Sequence, residues 1–424
     1  MQRIRLLALP FLVIVLVWLP ARTQVITVDH GPNAAAQQAK PYVVLVSLDG
    51  FRYDYAQKYD AKHLLKLAAQ GAIAEQGMIP SYPSLTFPNH YTLVTGLYPE
   101  HHGIVANKFY DPARKQTYAN NDPGTDRDGS WYGGTPLWVL AEKQGMRSAC
   151  FFWPGSEAEI DGSRPSYYLH FDDHFPDEKR IDRVIAWLQL PPAQRPHLIT
   201  LYYSNVDHAG HQNGPDSPVT GAAVAHVDQV VGDLWAKLAA LQLPIDLIVV
   251  SDHGMEREQG DWVDLSRYAD LQNFTTVGPL LYPNSEADAA KAYQQLKIKS
   301  DAFIVYRRQR VPAALHYDSN AREGDPVIVP TGPFAIRAHP TGEDRPPESG
   351  VHGYDPRGMP SMRALFLALG PDIRPGSKLE PFENVNVYPF IAKILGLDAP
   401  KVDGSLNVLS KILKNNPSDD TPVP

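Results

Sequence analysis

Residues 42–50 read Tyr42-Val43-Val44-Leu45-Val46-Ser47-Leu48-Asp49-Gly50. The first seven are almost continuously aliphatic and β-branched, which predicts a strand that is buried on both faces of a parallel sheet. Asp49 follows at the carboxyl end of this strand, and open α/β sheets bind their ligands at that end. The stretch therefore predicts an α/β fold and the edge of the sheet at which a functional site forms.

Two further apolar runs also end next to an acidic residue. Residues 197–203 lead into Asp207, and residues 245–251 lead into Asp252 and His253. Because the carboxyl ends of parallel strands meet at one edge of a sheet, we expect the three carboxylates to line one rim.

The segments between and after these runs predict the rest of the architecture. Helical patterns cover residues 61–70, 182–188, 219–241 and 387–397, and a last strand-like run covers residues 364–369. Alternation of strands and helices predicts an α/β sandwich with a mainly parallel central sheet flanked by helices.

Residues 271–350 differ from the rest of the chain. They combine a helix-like segment at 286–296, a strand-like segment at 302–306 and loops rich in Pro and Gly. We expect a small inserted cap subdomain there, beside the site. The predicted division is a linker over residues 23–39, one catalytic domain over residues 40–414 and a flexible tail over residues 415–424.

The first 22 residues resemble a targeting segment. Arg3 and Arg5 precede an apolar run over residues 6–19, which is short for a membrane span of about 20 residues and typical of a secretory signal. The cleavage site is not a clean small-x-small pattern, so an uncleaved anchor, and with it a membrane contact, stays open. Cys150 is the only cysteine, and an exported protein without disulfides suits a bacterial periplasm or outer surface.

Charge narrows the class of substrate. The chain has 39 Lys and Arg against 47 Asp and Glu, a formal net charge of -8, which disfavours binding to a nucleic-acid polymer. Carboxylates around a cleft would also repel phosphate, so a phosphate-binding site of this kind needs bound cations that invert the local field.

Ser84-Leu85-Thr86-Phe87-Pro88-Asn89-His90 supplies a candidate nucleophile. Pro88 suits the first turn of a helix, so Thr86 should lie at the helix N-terminus, where free N–H groups stabilise an anionic oxygen. A threonine hydroxyl is a poor nucleophile at neutral pH, and metal coordination is one way to activate it. Taken alone, Thr86 could equally be an ordinary capping residue.

Six carboxylate or imidazole side chains supply metal-type partners: Asp49, Asp207, His211, Asp252, His253 and His352. Asp207 and His211 are one helical turn apart, and glycines bracket His352. Oxygen and imidazole ligands without sulfur suit Zn²⁺, although a buried His–Asp pair is the commoner explanation of each pair by itself. Six such groups and one hydroxyl are the side chains expected of a two-metal phosphoryl-transfer site.

Eight motifs carry a resemblance to a known family: Leu48-Asp49-Gly50, Thr86-Phe87-Pro88-Asn89-His90-Tyr91, Val94-Thr95-Gly96-Leu97-Tyr98-Pro99, His102-Gly103-Ile104, Trp153-Pro154-Gly155-Ser156, Asp207-x-x-Gly210-His211, Ser251-Asp252-His253-Gly254-Met255 and His352-Gly353-Tyr354. In order and content they resemble the motifs of the nucleotide pyrophosphatase/phosphodiesterase family, which belongs to the alkaline phosphatase superfamily. The small cysteine-rich modules and nuclease-like tail of vertebrate members have no counterpart here, so we expect a bacterial single-domain member with the alkaline-phosphatase-like sandwich.

The resemblance implies two Zn²⁺ ions and a covalent mechanism. Asp49, Thr86, Asp252 and His253 would hold one ion, and Asp207, His211 and His352 the other. Thr86 would attack phosphorus and form a phospho-threonine intermediate that is then hydrolysed.

The resemblance also implies substrate contacts. Asn107 matches the asparagine that hydrogen-bonds a non-bridging phosphate oxygen, although a turn residue is the alternative. Phe87 matches the aromatic residue that packs on a nucleobase, and Phe171 falls where relatives place the second wall of that clamp; both could instead be core residues. Leu85 departs from the pattern, since many relatives carry Lys there, which puts substrate contacts at this position in doubt.

The predicted function is zinc-dependent hydrolysis of phosphodiester and pyrophosphate bonds in small nucleotides, with release of a nucleoside 5'-monophosphate. The alternative is the same chemistry on choline-type or glycerol phosphodiesters, or on a phosphonate. No stable protein partner is implied.

Overall fold

The fold is that of a computed structural model, which describes residues 24–260, 262–298, 300–339 and 350–414. The predictions for residues 1–22 and 415–424 lie outside these ranges. None of the helices within the ranges combines the length and the apolar composition that crossing a membrane requires.

A nine-stranded sheet forms the centre of the molecule. In chain order its strands are Ile26–Thr27 (β1), Tyr42–Leu48 (β2), Ala72–Ala74 (β3), Ser148–Phe151 (β4), Tyr167–Tyr168 (β5), Leu198–Tyr203 (β6), Ile245–Val250 (β7), Phe366–Leu369 (β8) and Ser377–Leu379 (β9). Their order across the sheet is β1-β5-β4-β6-β2-β7-β8-β3-β9. Strands β5, β4, β6, β2 and β7 run parallel to one another, whereas β1 and β8 are antiparallel to their neighbours. The predicted α/β fold with a mainly parallel sheet is confirmed.

The described part of the chain forms eleven α-helices. They are Tyr55–Lys58 (α1), Lys62–Gln70 (α2), Thr86–Thr95 (α3), Pro99–His102 (α4), Pro123–Asp126 (α5), Leu137–Lys143 (α6), Asp177–Leu188 (α7), Asn205–Asn213 (α8), Pro218–Ala240 (α9), Glu286–Leu296 (α10) and Val387–Leu395 (α11). Helix α7 begins five residues before the predicted start at residue 182. Its first turn carries Asp177 and Glu178, which suit the positive end of the helix dipole but add no apolar periodicity.

Apolar side chains pack on both faces of the sheet. Val43 and Leu45 of β2 belong to one buried cluster, and Val44 and Val46 belong to another. Because successive side chains of a strand point to opposite faces, the two clusters cover the two faces. This arrangement is the predicted sandwich.

A third apolar cluster lies within residues 265–338 and includes Leu281, Leu296 and Phe303. It joins α10 to two antiparallel strand pairs. These are Phe274–Val277 with Leu280–Pro283, and Phe303–Tyr306 with Val327–Pro330. This part of the chain therefore has a core of its own. The cap boundaries at 271 and 350 stay a prediction.

Residues 24–39, the described part of the predicted linker, pack on the domain: β1 joins the central sheet, and Asn33 makes polar contacts. The Asn33 side chain donates to the carbonyl oxygens of Pro192 and Arg195 at 2.8 and 2.7 Å. Its Oδ1 accepts from the Arg147 backbone N–H at 2.7 Å. Because these contacts are polar, the sequence of this segment shows no hydrophobic periodicity.

Candidate active site

The carboxyl ends of β6, β2 and β7 lie side by side. Asp49 follows β2 directly, Asp252 lies two residues after β7, and Asp207 lies in α8 just after β6. Gly50 permits their close approach: its φ is +67°, and a Cβ at this position would lie 2.8 Å from the Cα of Asp207. The structure thus brings the three carboxylates to one rim.

Thr86 is the first residue of α3, with Leu85 at the N-cap. No side-chain hydrogen bond caps this helix. The Thr86 hydroxyl oxygen instead lies 3.2 Å from Nε2 of His253. Thr86 therefore does not act as a capping residue, and its hydroxyl is available to the cluster of carboxylates and imidazoles.

Two overlapping groups of these side chains could hold a metal ion. In the first, Nε2 of His253 lies 2.9 Å from Oδ2 of Asp252 and 3.5 Å from Oδ1 of Asp49. In the second, Asp207 joins His253 and His352, and Oδ1 of Asp207 lies 3.7 Å from Nε2 of His352. The His253 and His352 rings stack with centroids 3.6 Å apart, so the two groups form one continuous cluster.

His211 joins the cluster from the side of α8. Its Nε2 lies 3.4 Å from Oδ1 of Asp207 and 3.1 Å from Nε2 of His352. Asp207 and His211 are four residues apart on a regular helix, so they share a face. Gly210 lies within this regular helix, so the helical period alone aligns the pair.

Backbone carbonyls fix the tautomer of all three imidazoles. Nδ1 of His211 donates to Gly350, Nδ1 of His253 to Gly254, and Nδ1 of His352 to Ser84, at 2.7, 2.9 and 2.9 Å. A carbonyl oxygen only accepts, so Nδ1 carries the proton and Nε2 of each neutral ring presents a lone pair to the cluster. This is the arrangement that metal-ligating histidines adopt.

Each of the three buried carboxylates leaves one oxygen without a hydrogen bond from the described part of the chain. Oδ1 of Asp49, Oδ1 of Asp207 and Oδ2 of Asp252 have no hydrogen-bond partner among the described residues. Burial raises the pKa of Asp49 well above its ordinary value, and the charges of Asp252 and Asp207 raise it further. Burial, together with the neighbouring His253 and His211, holds the pKa of His352 well below its ordinary value. Burial lowers the pKa of His253, but the charge of the adjacent Asp252 outweighs burial and the net shift is upward. Carboxylate oxygens without hydrogen bonds and a neutral His352 fit a divalent-cation site, because bound cations would supply the missing positive charge.

A cleft of about 1280 Å³ opens beside this cluster. Leu85, Asn107 and His352 line it together with residues of the third apolar cluster, such as Ile336. The region predicted as a cap therefore contributes to the cavity at the candidate site.

The three predicted substrate contacts have different environments, and Asn107 is the one of them that lines this cleft. The Phe87 backbone N–H donates to Oδ1 of Asn107 at 2.9 Å, and the Phe87 ring packs on the first apolar cluster. Phe171 is 48% exposed, and its ring contacts those of Phe152 and Tyr202. Asn107 is therefore tied to the start of α3, and Phe171 is too exposed to be a core residue.

Asn89 and His90 hold the backbone at the start of α3, and the sequence predicted no role for either. Nδ2 of Asn89 donates to the carbonyl of Leu85 at 3.0 Å, and its Oδ1 accepts from the Ser81 N–H at 2.8 Å. Nδ1 of His90 lies 2.9 Å from the Thr86 carbonyl oxygen. Both are fully buried. Spacing is the signal that could have identified His90, because it lies one helical turn after Thr86.

We expect Asn89→Ala to lower the free energy of unfolding by about 2–3 kcal/mol, because it leaves the buried backbone N–H and carbonyl of Ser81 without partners. Urea denaturation measures the loss. Asn407→Ala is the matched control, since Asn407 is exposed and its loss should change stability by no more than about 0.5 kcal/mol. Equal stability of the two variants would contradict the structural role of Asn89.

Known proteins match most of the chain. The sequence model of the family described as type I phosphodiesterase / nucleotide pyrophosphatase matches residues 43–355. An uncharacterised pyrophosphatase/phosphodiesterase of Schizosaccharomyces pombe is 36% identical over 402 residues, which are 89% of this chain and 81% of that protein. Ectonucleotide pyrophosphatase/phosphodiesterase family member 1 of Rattus norvegicus is 37% identical over 407 residues, 91% of this chain. The alignment spans 44% of the length of that relative.

Solved structures match equally well. An inactive Thr→Ala variant of murine ectonucleotide pyrophosphatase/phosphodiesterase 5, in complex with AMP, superposes with a TM-score of 0.82 at 30% identity. The match covers 88% of this chain and 100% of that one. With the α/β sheet and the carboxylate–imidazole cluster at its edge, these matches show that the chain belongs to the type I phosphodiesterase / nucleotide pyrophosphatase family, a family of hydrolases of phosphodiester and pyrophosphate bonds.

Proposed function

We propose that the protein hydrolyses phosphodiester and pyrophosphate bonds of small nucleotides and releases a nucleoside 5'-monophosphate. The reaction uses two Zn²⁺ ions and a phospho-threonine intermediate on Thr86. The observation that carries this proposal is the position of the Thr86 hydroxyl, 3.2 Å from Nε2 of His253 at the edge of the buried cluster.

Asp49, Thr86, Asp252 and His253 would hold one ion, and Asp207, His211 and His352 would hold the other. When bound, two such ions activate the attacking oxygen and neutralise the charge that develops on the phosphate and the leaving oxygen. Support for this ligand set comes from the unpaired carboxylate oxygens and from the lone pairs that the three imidazoles direct into the cluster.

The covalent step belongs to Thr86. Its oxygen forms a bond to phosphorus while the bond from phosphorus to the leaving oxygen breaks, and the hydroxyl proton passes to solvent water. Water then cleaves the bond between Thr86 and phosphorus, which releases the nucleoside monophosphate and restores the hydroxyl.

Asn107 orients the phosphoryl group. Its Oδ1 accepts from the Phe87 N–H, which orients the side-chain amide. Nδ2 of the same amide then offers its N–H groups to a non-bridging phosphate oxygen. This contact would strengthen as charge develops on that oxygen in the transition state.

A diester is favoured over a monoester by the charge around Thr86. Residues 81–98 contain neither Lys nor Arg, whereas a dianionic terminal phosphate needs additional positive charge. A nucleotide is favoured because the murine structural relative binds AMP and because the exposed Phe171 ring offers a surface on which a base can stack.

Export of the protein is a further part of the proposal. Relatives are named ectonucleotide pyrophosphatases/phosphodiesterases and venom phosphodiesterases, which supports a location outside the cytoplasm. A bacterial periplasm stays a prediction from the sequence.

Substrate selectivity tests the proposal. The zinc-loaded protein should hydrolyse ATP, a diadenosine polyphosphate and a nitrophenyl nucleotide ester, with AMP as the adenine product in chromatography. A higher kcat/KM for nitrophenyl phosphorylcholine than for the nucleotide ester would contradict it and favour the alternative substrate class.

We expect Asn107→Ala to lower kcat/KM for the nitrophenyl nucleotide ester by about 10²–10³-fold, the usual cost of losing one transition-state donor. Steady-state kinetics and zinc content are measured together, and the zinc content should not change. The control is Asn121→Ala, an exposed residue of the same cleft. A loss of equal size in both variants would argue against a specific contact of Asn107.

A further inference from the structure

Tyr202 makes a single short contact with the candidate metal site. Its hydroxyl donates to Oδ2 of Asp49 at 2.6 Å, and both side chains are buried. The other oxygen of the same carboxylate, Oδ1, has no hydrogen-bond partner and lies 3.5 Å from Nε2 of His253. The two oxygens of Asp49 therefore have different surroundings: one is occupied by a tyrosine, and the other faces the cluster.

A carboxylate that ligates a cation can rotate and present either oxygen, or both. A hydrogen bond to one oxygen removes this freedom and orients the other, which is how groups behind the direct ligands tune metal affinity. We infer that Tyr202 is a positioning residue whose hydroxyl holds Oδ2 of Asp49, so that Oδ1 is the oxygen offered to a divalent cation. This inference rests on the metal site of the proposed function.

Other contacts hold the Tyr202 residue in place without its hydroxyl. Its backbone carbonyl accepts from Nη1 of Arg180 at 2.7 Å. Its ring makes edge-to-face contacts with the rings of His90 and Phe171, with ring centroids 5.2 and 6.1 Å apart. Tyr202→Phe therefore preserves these contacts and removes only the oxygen that touches Asp49.

The adjacent residue offers a matched control. Tyr203 is also buried, and its hydroxyl has no hydrogen-bond partner among the described residues. Tyr202→Phe and Tyr203→Phe each remove one buried hydroxyl from the same strand. A merely structural effect on packing would therefore be similar in the two variants, whereas an effect through Asp49 is confined to Tyr202.

The test is equilibrium dialysis of the full chain and both variants against buffered Zn²⁺, with the metal counted by mass spectrometry. We expect Tyr202→Phe to raise the Kd of the zinc ion that Asp49 would hold by about 10–100-fold. Tyr203→Phe should leave this Kd within about twofold. We also expect kcat of Tyr202→Phe to approach that of the parent protein at saturating zinc. An unchanged zinc Kd in Tyr202→Phe overturns the inference while leaving the metal site intact, and an absence of zinc binding in the parent protein overturns both.

A measurement on the parent protein applies even if Tyr202→Phe does not fold. In a crystal structure of the zinc-loaded chain, Oδ1 of Asp49 should contact the ion while Oδ2 keeps its hydrogen bond to Tyr202. Contact of the ion with Oδ2, or loss of that hydrogen bond, overturns the inference.

Discussion

Thr86→Ala is expected to reduce turnover of a nitrophenyl nucleotide ester by about 10⁴-fold or more, which is the scale of loss when an enzyme loses its covalent nucleophile. The hydroxyl lies beside His253 and makes no capping contact in α3. Its removal therefore deletes the attacking oxygen without removing a hydrogen bond that holds the helix.

The fold and the metal content should survive this change. Thr86 has one of several predicted ligand atoms around its ion, and the carboxylates and imidazoles remain. Far-UV circular dichroism, thermal unfolding and zinc content of Thr86→Ala should therefore match those of the parent protein.

Thr86→Ser is the control, because it keeps a hydroxyl at the same position. It should retain a measurable part of the activity, since the covalent step remains available. Turnover by Thr86→Ala at the rate of the parent protein would remove Thr86 as the nucleophile.

Removal of divalent cations is expected to abolish activity and to lower the unfolding temperature. Asp49, Asp207 and Asp252 have buried oxygens without partners, so the metal-free protein keeps uncompensated negative charge in its interior. Cations that bind only the folded state also stabilise it, by about 4 kcal/mol at a thousandfold excess over Kd. We expect a chelator to eliminate turnover, and added Zn²⁺ to restore both turnover and the unfolding temperature.

Asp207→Asn provides the control for this experiment. It replaces one predicted ligand of the second ion and leaves Asp49, Asp252 and His253 in place. Bound zinc should therefore fall from two ions per chain towards one. A chelated protein that retains full turnover, with less than about a tenth of an ion per chain, would contradict metal-dependent catalysis.

Local patterns were sufficient to predict much of the fold. The apolar run of β2 is buried along its whole length, as its nearly continuous aliphatic and β-branched sequence predicts. Helix α10 has the predicted bounds, Glu286–Leu296, because Ser285 caps it and apolar residues recur at helical spacing. The start of α7 was missed because Asp177 and Glu178, the acidic residues of its first turn, carry no apolar signal.

Local patterns indicated only part of the site. The placement of acidic residues after buried strands predicted the meeting of Asp49, Asp207 and Asp252, since sheet geometry brings those ends together. His352 could not be placed in this way. It is brought to the cluster by the short strand Gly350–Val351, which pairs with Glu256–Arg257, and no local periodicity specifies such a distant pairing.

The contact of Tyr202 with Asp49 was also invisible in the sequence. In a strand that is buried on both faces, a tyrosine reads as one more core residue, because its ring packs like an apolar side chain. Only the position of its hydroxyl, 2.6 Å from a carboxylate oxygen on the neighbouring strand's end, distinguishes it from Tyr203.

Anomalous diffraction at the zinc absorption edge, from crystals of the zinc-loaded protein, tests the central claim most directly. We expect two peaks, one within coordination distance of Asp49, Thr86, Asp252 and His253, and the other within that distance of Asp207, His211 and His352. Zinc–oxygen and zinc–nitrogen distances of about 2.0–2.2 Å are expected. A single peak, or peaks remote from the Thr86 hydroxyl, would contradict the two-metal site.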